Sequence, residues 1–251
     1  SRSYKKNHRT VISLVTGSIM ATDTKVTLIP WDPQSLTHRQ WLIKQRDECG
    51  WDQDKVEGVW RESQTKGYKC IYWIGNEKLC DTAESINGVS REATQKEFVP
   101  IGHISLDSRN PGVEKVGVTS SAPGLFWIKT FFVSGASQSK GIGRAAMDEV
   151  ESMAVREPLL ATTLMLDVIP GEDQMREEFA LATYGSVPKV GEFQLSKYRF
   201  VQSDVYGQFT TEEWYLRRGY IPFKTVQNFY DVVDRNGKPW DMKTIFMKKE
   251  I

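Results

Sequence analysis

The segment from residue 125 to residue 169 constrains the fold more than any other part of the sequence. Leu125 to Val133 (LFWIKTFFV) is aromatic and β-branched, which predicts a buried central strand. A glycine-containing turn follows it. Apolar residues then recur at helical spacing from Gly143 to Val155, and a second strand is predicted at Thr163 to Ile169. Because this order normally joins parallel strands through a helix, the sequence predicts an α/β or mixed α+β fold.

Other segments extend this alternation over most of the chain. Further strands are predicted at Lys25–Ile29, Tyr68–Gly75, Val99–Leu106, Tyr220–Val226 and Lys243–Lys248. Further helices are predicted from Ser35 through Arg46 and at Lys55–Gln64, Met175–Thr183 and Thr211–Arg218. The polar stretch from residue 76 to residue 96 is interpreted as a loop. With no internal repeat and no long linker, we expect one domain over residues 25–251.

Charge and cysteine content exclude several classes of function. Lys plus Arg number 33 against 32 Asp plus Glu, so a net charge of +1 predicts neither a nucleic-acid nor a membrane-surface partner. Three unevenly spaced cysteines fit neither a disulfide scaffold nor a paired zinc site, and they favour a reducing compartment. No apolar run reaches the roughly 18 residues that a membrane span needs. We therefore expect a cytoplasmic protein without a bound metal.

Residues 1–24 allow two interpretations. Basic residues precede the moderately apolar run VISLVTGSIM, as in a targeting signal, but Ser, Thr and Gly dilute that run and no A-x-A-like cleavage site follows. We expect a flexible N-terminal extension, with a processed leader as the alternative. Met20 could also be a natural start, since organised sequence begins just after it.

The turn between the central strand and its helix is the best candidate for a binding site. In Val133 to Arg144 (VSGASQSKGIGR), backbone N–H groups of the loop and of the helix start would form a cradle for a pyrophosphate. Gly141 and Gly143 would let phosphates approach the main chain. The same glycines could serve tight packing alone. A short-chain dehydrogenase turn is a further alternative, but its glycines are spaced differently and it should open the chain. Its Y-x-x-x-K is also poorly matched by Tyr220 to Lys224, which contains a proline.

Two motifs resemble the GNAT superfamily of N-acetyltransferases. Gln138 to Gly143 (QSKGIG) resembles the family signature Q/R-x-x-G-x-G/A, and Val133 takes the Val place of the V-x-P that precedes it, although Gly135 replaces the Pro. Downstream, Tyr215 to Tyr220 (YLRRGY) is similar to the family's Y-x-x-x-G-F/Y element. The resemblance covers roughly residues 25–251 and implies a GNAT-like fold, a central mixed sheet of six to seven strands flanked by helices. An insertion at about 171–210 departs from the family pattern.

The resemblance implies acetyl-CoA as co-substrate, bound at the end of the fourth strand, and no metal. Its pyrophosphate would lie on backbone N–H groups of Gln138, Ser139, Lys140, Gly141, Ile142, Gly143 and Arg144, and its pantetheine arm would pair with Phe131, Phe132 and Val133. Lys140 and Arg144 could add charge. Tyr215 matches the family's proton donor.

The general base is less determined. Trp127 stands where some family members carry a catalytic Glu. Asp167 and His103 are therefore the candidate bases, with Asp107 or water as further choices, and His103 has the intrinsic pKa best suited to the task.

The function implied is transfer of an acetyl group to a primary amine by direct attack in a ternary complex. A near-neutral surface and several aromatic residues favour a small-molecule acceptor over a protein terminus. We expect a monomer or a homodimer. The alternatives are an NAD(P)-dependent short-chain-type oxidoreductase and a non-catalytic acyl-CoA-binding module.

Overall fold

The structure is a computed structural model that describes residues 24–184, 210–234 and 236–251. The predicted N-terminal extension up to residue 23, and residues 185–209 of the predicted insertion, lie outside the described residues. The strands, in chain order, are β1 (Thr27–Pro30), β2 (Ile71–Cys80), β3 (Ser85–Ile86), β4 (Val89–Ser90), β5 (Glu97–Asp107), β6 (Leu125–Val133), β7 (Thr163–Val168), β8 (Ile221–Gln227), β9 (Val232–Val233), β10 (Pro239–Trp240) and β11 (Lys243–Glu250). The α-helices are α1 (Leu36–Cys49), α2 (Arg61–Thr65), α3 (Ile142–Ala154), α4 (Gly171–Gln174), α5 (Glu177–Tyr184) and α6 (Thr211–Arg217).

Two predicted segments differ from the structure. The stretch from residue 76 to residue 96 is not all loop, because β2 continues to Cys80 against β5 and the hairpin β3–β4 follows. Leu79 and Cys80 pair with Phe98 and Glu97 of β5 and so extend the strand beyond Gly75. The helix predicted at Lys55–Gln64 is composite: a 3₁₀ turn and a π-helical turn at Val56–Trp60 lead into α2. A glycine inside that turn, Gly58, weakens regular α-helix there.

A seven-stranded sheet forms the centre of the fold, in the order β1-β2-β5-β6-β7-β11-β8. Its neighbouring strands are antiparallel except β6 and β7, which are parallel. These two strands pair only from Leu125 opposite Thr163 to Trp127 opposite Met165. The rest of β6 therefore has no register partner on that side among the described residues, and its edge is open toward the end of the strand.

Helices cover both faces of the sheet. On one face, α3 buries Ala146, Met147 and Val150 against Leu164 and Leu166 of β7. On the other face, α1 and the segment before α2 bury Leu42 and Trp60 against β2. β6 packs on α3 through Ile128, and on its other face Trp127 packs on Val113, Val118 and Phe246, so the strand before the turn is held from both faces.

None of the helices in the described ranges is long and apolar enough to cross a membrane.

Candidate active site

The turn after β6 leads through a short 3₁₀ segment, Gly135–Ser137, into α3. Ser139 and Gly141 both have positive φ, +62° and +76°, which turns the chain sharply into the helix. Gly141 is the N-cap of α3 and provides no side chain to cap its N–H groups. A glycine at this place avoids the steric cost of the left-handed conformation.

Consecutive backbone N–H groups at this turn have no acceptor within the described part of the chain. The predicted run began at Gln138, but the Gln138 N–H donates to the Ser134 carbonyl at 3.1 Å and is not available. The N–H groups of residues 139–144 make none of the backbone or side-chain hydrogen bonds found there, and the first helical bond of this end is Ala145 N–H to the Gly141 carbonyl. These donors lie at the positive end of the α3 dipole. The arrangement is suited to bind an anionic group of several oxygens, such as a pyrophosphate.

Space around the glycines also fits such a ligand. Among the described residues outside its own helix turn, a Cβ placed on Gly143 would meet only Phe131 within 4 Å, with the ring Cζ at 3.6 Å. Protein packing therefore does not require glycine at position 143, and the missing side chain leaves the main chain accessible to a ligand. Gly141 differs, because its positive φ already disfavours any side chain.

Side chains of the turn mainly hold the turn itself. Lys140 Nζ donates to the Ala136 carbonyl at 2.8 Å, and Gln138 Nε2 donates to the Val133 carbonyl at 2.9 Å. The Glu48 carboxylate at the end of α1 accepts from the Gly135 N–H at 3.1 Å. Arg144 is exposed and makes no ion pair with the described residues, so it is the cation of this turn that remains available for a phosphate.

The open edge of β6 begins beside this turn. Ser134 N–H donates to the Ile101 carbonyl of the β5 side at 2.9 Å. Because N–H groups alternate along a strand, those of Phe131 and Val133 point the other way, into the gap between β6 and β7. A peptide-like arm could pair there as an added strand.

Tyr215 projects from α6 into the main core beside this edge. It is 6% exposed, and its ring packs edge-on against Trp214, with 4.9 Å between the ring centres. The ring centre of Trp214 in turn lies 6.1 Å from that of Phe131. Its hydroxyl forms no hydrogen bond with the described residues. Burial raises the pKa of the Tyr215 phenol; Arg218 opposes this effect, and the carboxylates of Asp167 and Glu151 reinforce it. The phenol therefore carries its proton at neutral pH.

Asp167 lies on the opposite face, two residues beyond the last β6–β7 pair. Its carboxylate accepts hydrogen bonds from Lys129 Nζ at 2.5 Å, from the Tyr230 hydroxyl at 3.1 Å and, more weakly, from Asn110 Nδ2 at 3.4 Å. Burial alone would lower the pKa of Lys129, but Asp167 and Tyr230 outweigh it and raise that pKa. A cation, a carboxylate and a phenol thus meet where β6 and β7 separate.

His103 is fully buried and both ring nitrogens are engaged. Nδ1 lies 2.7 Å from Gln45 Oε1, and Nε2 lies 3.4 Å from Arg46 Nη1. Since the guanidinium can only donate, Nε2 is the acceptor and Nδ1 carries the hydrogen. Burial, reinforced by the charges of Arg46 and Lys69, lowers the pKa of His103 well below its ordinary value. The lone pair that a base would need is therefore directed at Arg46.

A family model matches the middle part of the chain. Residues 60–180, which include the crossover and the turn, match the Acetyltransferase (GNAT) family. The chain contains a GNAT acetyltransferase domain. No curated protein sequence matches the chain.

Solved structures of GNAT acetyltransferases resemble most of the chain at low sequence identity. Arabidopsis thaliana NAA60 in complex with acetyl-CoA has a TM-score of 0.50 and 13% identity, over 90% of this chain and 99% of that one. An aminoglycoside 6'-N-acetyltransferase complexed with coenzyme A has a TM-score of 0.48 and 14% identity, over 89% and 96%. Spermidine/spermine N-acetyltransferase SpeG from Vibrio cholerae has a TM-score of 0.48 and 10% identity, over 90% and 92%. The first of these likenesses confirms the predicted GNAT-like mixed sheet.

The candidate site contains residues that the sequence did not single out. Lys129 and Tyr230, which hold Asp167, belong to this group, as does Glu48, which holds the turn. Lys129 could have been noticed as the lone charge in LFWIKTFFV. Tyr230 and Glu48 carry no local signal, because only the fold brings them to β7 and to the turn.

Proposed function

We propose that this acetyltransferase transfers the acetyl group of acetyl-CoA to a primary amine by direct attack in a ternary complex. The observation that carries the proposal is the run of N–H groups at residues 139–144, which have no acceptor among the described residues and lie beside an open edge of β6. A pyrophosphate bound at the turn would place an acyl-pantetheine arm along Phe131 and Val133. The family match and the fold shared with an acetyl-CoA complex support the same co-substrate.

Each part of the site has a distinct role in this reaction. Acetyl-CoA supplies an acetyl group activated as a thioester. The amine nitrogen bonds to the acetyl carbon as the carbon–sulfur bond breaks, the nitrogen loses a proton, and the thiolate gains one. Tyr215 is the proposed donor to the thiolate, since its proton is retained at neutral pH and no described residue uses its hydroxyl. The N–H groups of Phe131 and Val133 would stabilise charge on the thioester oxygen.

Of the two candidate bases, Asp167 is better placed than His103. His103 offers no free lone pair, because Arg46 and Gln45 occupy both ring nitrogens. Asp167 lies at the opening between β6 and β7 and is reached through Tyr230, which is 39% exposed. We propose that Asp167 receives the amine proton, directly or through water, on the face opposite Tyr215.

A small-molecule amine remains the proposed acceptor, and the cytoplasm the proposed compartment. Acceptor binding on the Asp167 face would leave the α3 face to the co-substrate. The two proton-transfer groups would then act from opposite sides of the opening, which matches a ternary complex.

Amine-dependent release of CoA thiol tests this function. The full-length protein is incubated with acetyl-CoA and a panel of small primary amines, each paired with its tertiary-amine analogue, and the free thiol is measured. We expect release only with primary amines, together with a mass gain of one acetyl group on the amine.

Three results would contradict the proposal. Binding of CoA without turnover on any amine would favour a non-catalytic module. A thermal shift with NADH or NADPH and none with acetyl-CoA would favour an oxidoreductase. Equal thiol release with tertiary amines would mean hydrolysis rather than transfer.

A further inference from the structure

A bulge in β6 lies just before the open edge. Ser105 of β5 is opposite Lys129, whereas His103 is opposite Phe132, so two steps along β5 match three along β6. The extra residue falls at Thr130, which has a φ of +47°. A β-branched residue in this left-handed region is strained, and such strain persists only where the surroundings impose it.

A buried polar network surrounds this strained residue. Thr130 Oγ1 is hydrogen bonded to Ser105 Oγ at 2.8 Å, and Lys69 Nζ donates to the same Ser105 oxygen at 3.1 Å. Lys69 also pairs with Asp107 at 2.9 Å, and its Nζ lies 4.7 Å from the centre of the Trp60 ring. Ser105 is fully buried, and Lys69 and Asp107 are nearly so. The network therefore holds the Thr130 hydroxyl in place through buried hydrogen bonds.

The bulge decides which N–H groups of β6 reach the gap. An extra residue in one strand reverses the alternation of N–H directions beyond it. Without it, the N–H groups of Phe131 and Val133 would point toward β5. With it, they point into the gap, as the Ser134 N–H bond to the β5 side indicates. The side chain of Phe131 likewise turns to the α3 face, where it meets Gly143 and Trp214.

We propose that Thr130, Ser105 and Lys69 are positioning residues that hold this bulge and so present the N–H groups of Phe131 and Val133 to the thioester carbonyl. The proposal rests on the proposed function, since the thioester is that of acetyl-CoA. In this proposal the Thr130 hydroxyl does not contact the substrate. It orients the main chain of β6, which contacts the thioester. Electrostatic stabilisation by such donors depends on their direction, so a relaxed bulge costs catalysis more than binding.

Three substitutions at one position separate the hydroxyl from the strain. Thr130→Val keeps the branched shape and removes the hydroxyl, Thr130→Ser keeps the hydroxyl, and Thr130→Gly removes the hydroxyl but accepts a positive φ without strain. Ser105→Ala on β5 removes the partner hydroxyl and serves if Thr130→Val does not fold. The readout is the ¹³C chemical shift of [1-¹³C]acetyl-CoA bound to each full-length protein, with the affinity for CoA as a control.

We expect the bound carbonyl shift to move toward that of free acetyl-CoA in Thr130→Val and to stay near the wild-type value in Thr130→Ser and Thr130→Gly. Transfer to an accepted amine should fall by roughly 100-fold in Thr130→Val, as for the loss of one well-placed donor. The affinity for CoA should change by less than about threefold in every variant, because the turn at residues 139–144 is intact.

The proposal would be overturned if the bound carbonyl had the same chemical shift in Thr130→Val and in Ser105→Ala as in the wild-type protein, since the network would then be merely structural. The proposal would also be overturned if the bound carbonyl shift moved toward that of free acetyl-CoA as far in Thr130→Gly as in Thr130→Val, because the hydroxyl would not act through the backbone. Failure of the wild-type protein to bind acetyl-CoA would refute the proposed function itself, and the inference with it.

Discussion

Two tyrosines of the same core differ in what their hydroxyls do. Tyr220 donates a hydrogen bond to Glu151 of α3 at 3.1 Å, whereas Tyr215 donates to no described residue. The Tyr215 hydroxyl is not among the buried polar atoms that lack a partner in the described chain, so water or a ligand can reach it beside the open strand edge. The ring centres of the two tyrosines lie 5.5 Å apart, so the same substitution at Tyr220 is a suitable control for one at Tyr215.

Replacing Tyr215 by Phe should separate activity from stability. We expect kcat to fall by roughly 100-fold through the loss of the proton donor, with a free energy of unfolding within about 0.5 kcal/mol of wild type, because no hydrogen bond is lost. The control, Tyr220→Phe, should lose about 1 kcal/mol of stability and retain most of kcat. Steady-state kinetics and urea unfolding measure both, and the reverse pattern would exclude Tyr215 as the acid.

His103 should make stability depend on pH in the acid range. Its folded pKa lies well below the unfolded value of about 6.5, so above that pH the residue is neutral in both states. Below it, the unfolded chain takes up a proton that the folded protein does not. As the pH falls below this value, the free energy of unfolding decreases by up to about 1.4 kcal/mol per pH unit.

The measurement is urea unfolding of wild type and His103→Gln between pH 7.5 and pH 5. We expect the variant to be less stable at pH 7.5 but to lose less stability toward pH 5. The pKa of His38 is also lowered by burial, so some slope should remain in the variant. Identical slopes in the two proteins would show that His103 does not titrate on unfolding in this range.

The helix that carries Tyr215 is short, and its start is reinforced. Thr210 accepts from the Glu213 N–H at 3.2 Å and Glu213 accepts from the Thr210 N–H at 2.9 Å, a complete capping box for α6. A helix of seven residues has little stability of its own, so the box and the packing of Tyr215 hold it in place.

Substitution at Thr210 tests the contribution of this cap. We expect Thr210→Val, which keeps the branched shape but loses the hydroxyl, to cost about 1 kcal/mol in the free energy of unfolding. Thr210→Ser retains the hydroxyl and should cost clearly less. If both variants were equally unstable in urea, the methyl group rather than the cap would stabilise the helix start.

Elements with a strong local signal could be predicted, and contacts between distant segments could not. LFWIKTFFV, the turn and the apolar spacing of α3 are each encoded within a few residues, so β6, α3 and β7 agree with prediction within one residue at each end. The bulge at Thr130 depends on residues from β5 and on Lys69 before β2. Sequence periodicity does not indicate that these distant residues are in contact. The same applies to Tyr230, which approaches Asp167 from 63 residues away.

At the scale of the molecule, the proposed recognition of the anion depends on local geometry rather than on overall charge. With a net charge of +1, the chain has no general attraction for phosphates. In the proposed site, the N–H groups of residues 139–144 and the dipole of α3 would provide that attraction at one place, where the sheet opens between its parallel strands. Binding should accordingly be sensitive to a single negative charge placed at the turn.

Titration of acetyl-CoA into the full-length wild-type, Gly143→Ala and Gly143→Asp proteins, followed by calorimetry, is the most direct test of the central claim. A Cβ at position 143 meets only the Phe131 ring at ordinary contact distance, so the alanine variant should fold normally and retain binding, weakened by no more than about tenfold, or about 1.4 kcal/mol. The aspartate variant should show no measurable binding, because its carboxylate would lie where the pyrophosphate is held. Equal affinity of the wild-type and aspartate proteins would contradict the assignment of this turn as the acetyl-CoA site.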